Sequence, residues 1–411
     1  MLCPDDIHYV TSEYARHDHP GQMAFPNIKP IRTAVSVAAV LFLLGLALGG
    51  EQSVPCYFIF GDSLADCGNN NDLNTTSKAN YPPYGVDFPQ GPTGRFTNGR
   101  TAFDLIAELL GFEVYMKPFT TAKGVEILLG VNYASGGAGI LDETGMQSGE
   151  VIPLNQQLRN HNVTVKRIAE MLRDEELASA YLGKCMYSVG MGNNDYINNY
   201  FMPDYYNSSK LYTPLQFAEL LILEYSRQLK TLYQLGARKV AVFAVGLVGC
   251  VPEELYRFDD ETTVCVSLMD TAAALFNDRL TPLVEELNAN YTDATFTYIN
   301  TEAGVVTMPA TTIISSEAFI ANMTCCKVRL DEGLCYPDSA PCTNRTEYTF
   351  FDGFHPTEEA NIETANVAYY TNSSEIAYPY NISYLAVLDS DAAKNHVISP
   401  IVEDGEKYAA A

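Results

Sequence analysis

Apolar positions along this chain follow two alternating periods. Short β-type runs fall at residues 56–60, 131–134, 186–189, 239–245 and 295–299. Between them lie longer stretches with helical spacing, at 101–110, 154–172, 214–235, 264–288 and 357–370. Ala102, Leu105, Ile106, Leu109 and Leu110 form one apolar stripe closed by Gly111, and Leu215, Ala218, Leu221, Ile222, Tyr225 and Leu229 form another closed by Gly236. Such stripes are core faces. Strands alternating with helices predict βαβ crossovers and a mainly parallel, five-stranded sheet covered on both faces, an α/β fold. No internal repeat or Gly/Ser-rich linker divides the pattern, so one domain is expected over residues 50–390, with 391–411 as a loose acidic tail.

The N-terminus stands apart. Lys29 and Arg32 precede a 15-residue apolar stretch, 34–48, which is short for a bilayer span and suits the core of a secretory signal. Residues 1–49 therefore read as an extension plus a cleaved signal, with Ala47 and Gly49 as the small residues at the cleavage site and Met23 as a working start. Secretion has independent support in eight Asn-X-Ser/Thr sequons, at Asn74, Asn162, Asn207, Asn290, Asn322, Asn344, Asn372 and Asn381. Beyond Cys3 there are nine cysteines, and Cys325, Cys326, Cys335 and Cys342 crowd into eighteen residues. This reads as disulfide stapling; no CxxC pair or nearby histidine supports zinc, and no cofactor is expected. An odd count leaves one thiol over, and Cys185, at the head of an apolar run, is the expected buried free one. The net charge of −25 repels phosphate backbones, which argues against a nucleic-acid partner.

Candidate chemistry begins at Ser63, where the run Phe58-Ile59-Phe60 stops at Gly61-Asp62-Ser63. Reactive groups gather beyond the carboxyl ends of parallel strands, and Ser63 falls there. A serine opening a helix is the rival reading, and Ala65 departs from the Gly-x-Ser-x-Gly elbow of α/β-hydrolases. A general base follows by elimination. Of six histidines, His8, His17 and His19 leave with the signal, His161 adjoins a sequon and is expected to be solvated, and His396 lies in the tail. His355 remains, with Asp352 three residues before it to hold the Nδ1 proton and Pro356 after it to open a helix. Two loops end strands with groups suited to an oxyanion: Asn132-Tyr133-Ala134-Ser135-Gly136-Gly137-Ala138-Gly139, and Val189-Gly190-Met191-Gly192-Asn193-Asn194-Asp195.

These four blocks, in this order, resemble the plant-type branch of the GDSL esterase/lipase family, part of the SGNH hydrolases. Tyr81-Pro82-Pro83-Tyr84-Gly85, Gly94-Arg95-Phe96-Thr97-Asn98-Gly99-Arg100, Gly249-Cys250-Val251-Pro252 and Thr324-Cys325-Cys326 extend the likeness from about Val54 to Leu388. The resemblance implies a flavodoxin-like three-layer αβα sandwich. It also implies a secreted serine esterase acting on an ester substrate through an acyl-enzyme, as a monomer without metal. Ser63 would be the nucleophile, His355 the base and Asp352 its orienting partner. The Ser63 amide, Gly137 (with Gly136 and Gly139 as alternates) and Asn194 would form the oxyanion hole, while Asp62 would organise the turn. Cys67 stands where many relatives carry Asn. An extracellular acyltransferase using the same acyl-enzyme is the runner-up, and an inert wall-polysaccharide- or lipid-binding protein is a third reading. Lipid, polyester and acetylated carbohydrate all remain open as substrates.

Overall fold

The structure is a computed structural model that describes residues 52–258, 265–301, 320–330 and 332–388. The expected leader and acidic tail lie outside the described residues. In chain order the elements are β1 (Tyr57–Gly61), α1 (Ala102–Leu109), α2 (Leu154–Leu172), β2 (Met186–Gly190), α3 (Pro214–Gln234), β3 (Lys239–Phe243), α4 (Pro252–Arg257), α5 (Ser267–Asn290), β4 (Thr295–Ile299), β5 (Ile320–Thr324), β6 (Tyr348–Phe350), α6 (Glu358–Tyr370) and β7 (Ala377–Tyr378). Local chemistry sets several boundaries. Thr101 accepts from the Asp104 amide at 3.1 Å while the Asp104 carboxylate accepts from the Thr101 amide at 2.9 Å, a capping box that opens α1. Thr213 and Gln216 repeat the device at α3, with Pro214 as the first helical residue. At α6 the cap is Thr357, so Pro356 lies just outside the helix and not in its first turn.

The main sheet has the order β1-β2-β3-β4-β7; its first four strands are parallel and β7 closes the edge antiparallel. All of β1 is buried, as expected of a strand covered on both sides. Tyr57 and Ile59 join a cluster with Phe103 and Ile106 of α1 and Ala365 and Ala368 of α6. Phe58 and Phe60 instead meet His161 of α2 with ring centroids 4.9 and 5.4 Å apart. The result is an αβα sandwich with a mainly parallel five-stranded sheet.

The expected strand at 131–134 differs in detail. It runs beside β1, with Ile59 donating to Val131 and Tyr133 donating back to Ile59 at 3.1 and 2.8 Å, yet forms only isolated bridges. Asn132 sends its amide and carbonyl to Lys117 and Phe119 on the other side, as in any shared strand, but the pairing with β1 stops short because the Gly61 amide, next in register, donates to Gln157 Oε1 and not to Tyr133. The chain thus leaves β1 through α1 on one face, passes along 131–134, and returns through α2 on the other face to β2. The direction of winding reverses at β1, which makes its carboxyl end the crevice position of an open α/β sheet.

Among the described residues four disulfides staple the chain: Cys56–Cys185, Cys250–Cys265, Cys325–Cys342 and Cys326–Cys335. Cys185 is therefore not the free thiol; that residue is the buried Cys67. The physical reason is the sheet register. Tyr57 pairs with Met186, so the cysteines just before them come side by side despite 129 residues of separation.

Candidate active site

The nucleophile position is built by β1 and the turn after it. Gln157 of α2 grips Gly61 twice, its Oε1 accepting from the Gly61 amide at 3.0 Å and its Nε2 donating to the Gly61 carbonyl at 2.8 Å. A Cβ at Gly61 would meet the Gly190 carbonyl oxygen at 3.0 Å, so this crossing of β1 and β2 favours glycine. The amides of Ala65 and Asp66 both turn back to the Asp62 carbonyl, leaving Ser63 and Leu64 at the tip. Asp62 organises that turn: Oδ1 accepts from the Leu64 amide at 2.9 Å and Oδ2 from Asn193 Nδ2 at 3.2 Å. Its carboxyl is pushed above the usual range by burial. Ser63 itself is half-buried.

The second half arrives on the segment between β6 and α6. Asp352 Oδ1 accepts from the Phe354 and His355 amides at 2.9 and 2.8 Å, which fixes a tight turn with the imidazole over its own partner. His355 Nδ1 lies 2.8 Å from both carboxylate oxygens, and Nε2 lies 2.7 Å from Ser63 Oγ, across 292 residues of sequence. A proton on Nδ1 leaves the Nε2 lone pair facing the serine hydroxyl. Asp352 is fully buried and His355 5% exposed, and Phe96 packs on the imidazole at 4.9 Å. Seclusion at this level shields the pair from water and strengthens its electrostatics.

Three loops meet here and are stitched by hydrogen bonds. Ser135 donates to the Gly61 carbonyl at 3.1 Å, and Asn194 Nδ2 donates to the Ala138 carbonyl at 3.0 Å. Two buried carboxylates hold the glycine-rich loop from opposite ends. Asp66 accepts from the amides of Gly68, Asn69 and Gly136 at 2.8, 2.8 and 3.0 Å. Asp195 accepts from the amides of Ile140 and Leu141 and from the Thr144 hydroxyl at 2.7, 3.1 and 2.7 Å. Burial pushes their pKa values up to about 6 and about 7. This clamp separates the three glycines. The Gly136 N–H is committed to Asp66. A Cβ on Gly139 would strike Thr144 and Asp195, so that residue packs inward. Gly137 has φ +81°, a left-handed conformation that favours glycine even though a Cβ would find room.

One expectation fails here. His161 is not solvated but fully buried, since its place on the inward stripe of α2 with Leu154, Leu158, Ile168 and Leu172 outweighs the adjoining sequon. Its Nδ1 lies 3.1 Å from Tyr133 Oη, and burial lowers its pKa to about 3, so it stays neutral. It serves the core. Sequence reasoning also missed Gln157, Asp66 and Asp195 as supports of the site. Gln157 carried a readable signal, a polar residue inside an apolar helical stripe; the acids carried none, since an aspartate on a loop is ordinary.

A parallel αβα sheet with an Asp–His–Ser hydrogen-bonded chain at its winding reversal is the arrangement of a class, the α/β serine hydrolases. The chain belongs to one family within it: the profile described as GDSL-like Lipase/Acylhydrolase matches residues 57–368. Similar curated proteins from Arabidopsis thaliana include GDSL esterase/lipase At1g29660, 47% identical over 86% of this chain and 97% of its own length. GDSL esterase/lipase At1g29670 is 47% identical over 86% and 98%, and GDSL esterase/lipase At4g18970 is 46% identical over 85% and 97%. Among the described residues no helix is long and apolar enough to cross a membrane.

Proposed function

We propose that this protein is a secreted serine esterase/lipase that cleaves carboxylic esters through an acyl-enzyme. His355 Nε2 takes the proton of Ser63 Oγ as that oxygen bonds to the ester carbonyl carbon, and Asp352 stabilises the imidazolium. The carbonyl oxygen, now an anion, accepts from the amides of Ser63 and Gly137 and from Asn194 Nδ2. An amide nitrogen carries two protons, so Asn194 keeps its bond to Ala138 while serving the oxyanion. Collapse breaks the bond to the alcohol oxygen, which leaves with the proton from Nε2. Water then repeats the sequence and releases the acid; an alcohol in its place would make the same intermediate an acyl donor.

The observation that carries the reading is the 2.7 Å separation of Ser63 Oγ and His355 Nε2. A leader in residues 1–49 and N-glycosylation belong to the same proposal, supported by four disulfides suited to an oxidising compartment. The test is Ser63→Ala, assayed on short p-nitrophenyl esters with folding checked by circular dichroism. Loss of at least ~10³-fold in kcat is expected; turnover near the unmodified rate in a folded variant would exclude the mechanism. Assaying with an alcohol present and quantifying free acid against transferred ester separates hydrolase from acyltransferase.

A further inference from the structure

Tyr84 lies 268 residues from Asp352, is fully buried, and donates its phenolic proton to Asp352 Oδ2 at 2.6 Å. The same oxygen atom of Tyr84 accepts from the Cys335 amide at 3.1 Å. Its ring is fixed by Tyr81, Phe96 and Phe351, with centroids 5.3, 6.1 and 5.7 Å away. These residues form a small cluster with Cys325, Cys326 and Cys335, separate from the core that holds β1 and α1. Gly353, between the acid and the base, donates to Gly333 inside the loop that the Cys326–Cys335 bridge closes.

We propose that Tyr84 is a positioning residue for catalysis, a fourth member of the Ser63–His355–Asp352 chain that ties the orienting acid to the Cys326–Cys335 loop. The physical basis is the isolation of the carboxylate. With Asp352 out of water, each oxygen needs donors from the protein. Among the described residues Oδ1 has two backbone amides, whereas Oδ2 has only the phenol besides the imidazole. Burial and the adjacent carboxylate raise the Tyr84 pKa well above the ordinary phenol value, which keeps it a donor at every working pH. Removing the donor leaves Oδ2 underbonded and frees the carboxylate to rotate away from Nδ1. Because Tyr84 is shielded from the crevice, the loss belongs to the chemical step and not to substrate binding.

The experiment is Tyr84→Phe beside Tyr81→Phe. Tyr81 is the matched control: it shares the cluster and bonds the Cys335 carbonyl at 3.0 Å, but no bond joins it to Asp352. Tyr84→Phe should lower kcat by between ~10- and ~100-fold with KM unchanged, the size of a lost hydrogen bond to a charged group. It should slow fluorophosphonate labelling of Ser63 in proportion and move the downfield proton NMR line of His355 Nδ1–H. Tyr81→Phe should do none of these. Counting competent sites by exhaustive labelling keeps kcat meaningful if part of the variant misfolds. Equal effects of the two substitutions on kcat, or an unmoved Nδ1–H line, would reduce Tyr84 to packing and overturn the proposal. It rests on the triad reading, and the failures separate: an active Ser63→Ala removes both, whereas a dead Ser63→Ala with a normal Tyr84→Phe removes the tyrosine alone.

Discussion

Asn194, the proposed side-chain donor to the oxyanion, is also built into the fold. Its Oδ1 accepts from Asn198 at 2.6 Å and its Nδ2 bonds the Ala138 carbonyl, so the amide is oriented before any substrate arrives. A donor aligned in advance is worth most where charge develops, because nothing reorganises at the moment of reaction. Asn194→Ala should therefore lower kcat by ~10²- to 10³-fold. KM for a p-nitrophenyl ester should change little, and steady-state kinetics would show the split. The residue type and spacing were readable, as was the pairing of Asp352 with His355 three positions on. What distinguishes Gly136, Gly137 and Gly139 was not readable, because it depends on which N–H the distant Asp66 accepts and on the space beside Asp195.

At the scale of elements, the five expected helices emerged from periodicity to within three residues at either end, and α2 coincides with the expected 154–172, whereas the short α4 had no counterpart. Edge pairing did not. The 131–134 run has strand composition, yet its pairing with β1 is cut short where Gln157 of α2 takes the Gly61 amide, a contact that lies outside its own sequence. Helix α1 is anchored by a buried ion pair. Arg95 Nε and Nη2 lie 2.7 and 2.8 Å from the two Asp104 oxygens, with both residues 5% exposed or less. Neighbouring Arg95 holds the Asp104 carboxyl below the usual range despite its burial. Arg95→Ala should destabilise the fold by about 3–5 kcal/mol, because it leaves an uncompensated buried charge. Urea unfolding would measure the loss, and kcat per labelled Ser63 should be preserved.

For the whole molecule, seven of the eight sequons divide according to the surface, while the side chain of Asn322 lies outside what the structure describes. Asn74, Asn207, Asn290, Asn344 and Asn372 are exposed. Asn381 is committed: its Oδ1 accepts from the Tyr384 amide at 2.9 Å and its Nδ2 donates to the Thr371 carbonyl at 2.7 Å. The sequon at Asn162 lies inside α2 with Thr164 buried. Glycans are expected at the five exposed sites and not at Asn162 or Asn381. Peptide mapping of secreted protein after PNGase F in heavy-oxygen water, which marks each released site, would show full occupancy of Asn381 if this is wrong.

The chain alone determined the alternation of strands and helices, the candidate nucleophile, the candidate base with the acid beside it, and the stapled cysteine cluster. Each of these is written in local pattern or residue type. Contact between remote positions was decided only on folding. Cys56 met Cys185 through strand register, His161 was carried inward by its helix face, and Tyr84 reached Asp352 over 268 residues of chain. Local sequence encodes which torsions and faces a segment prefers; which groups then share a hydrogen bond follows from packing those faces together, and no window of sequence contains both partners.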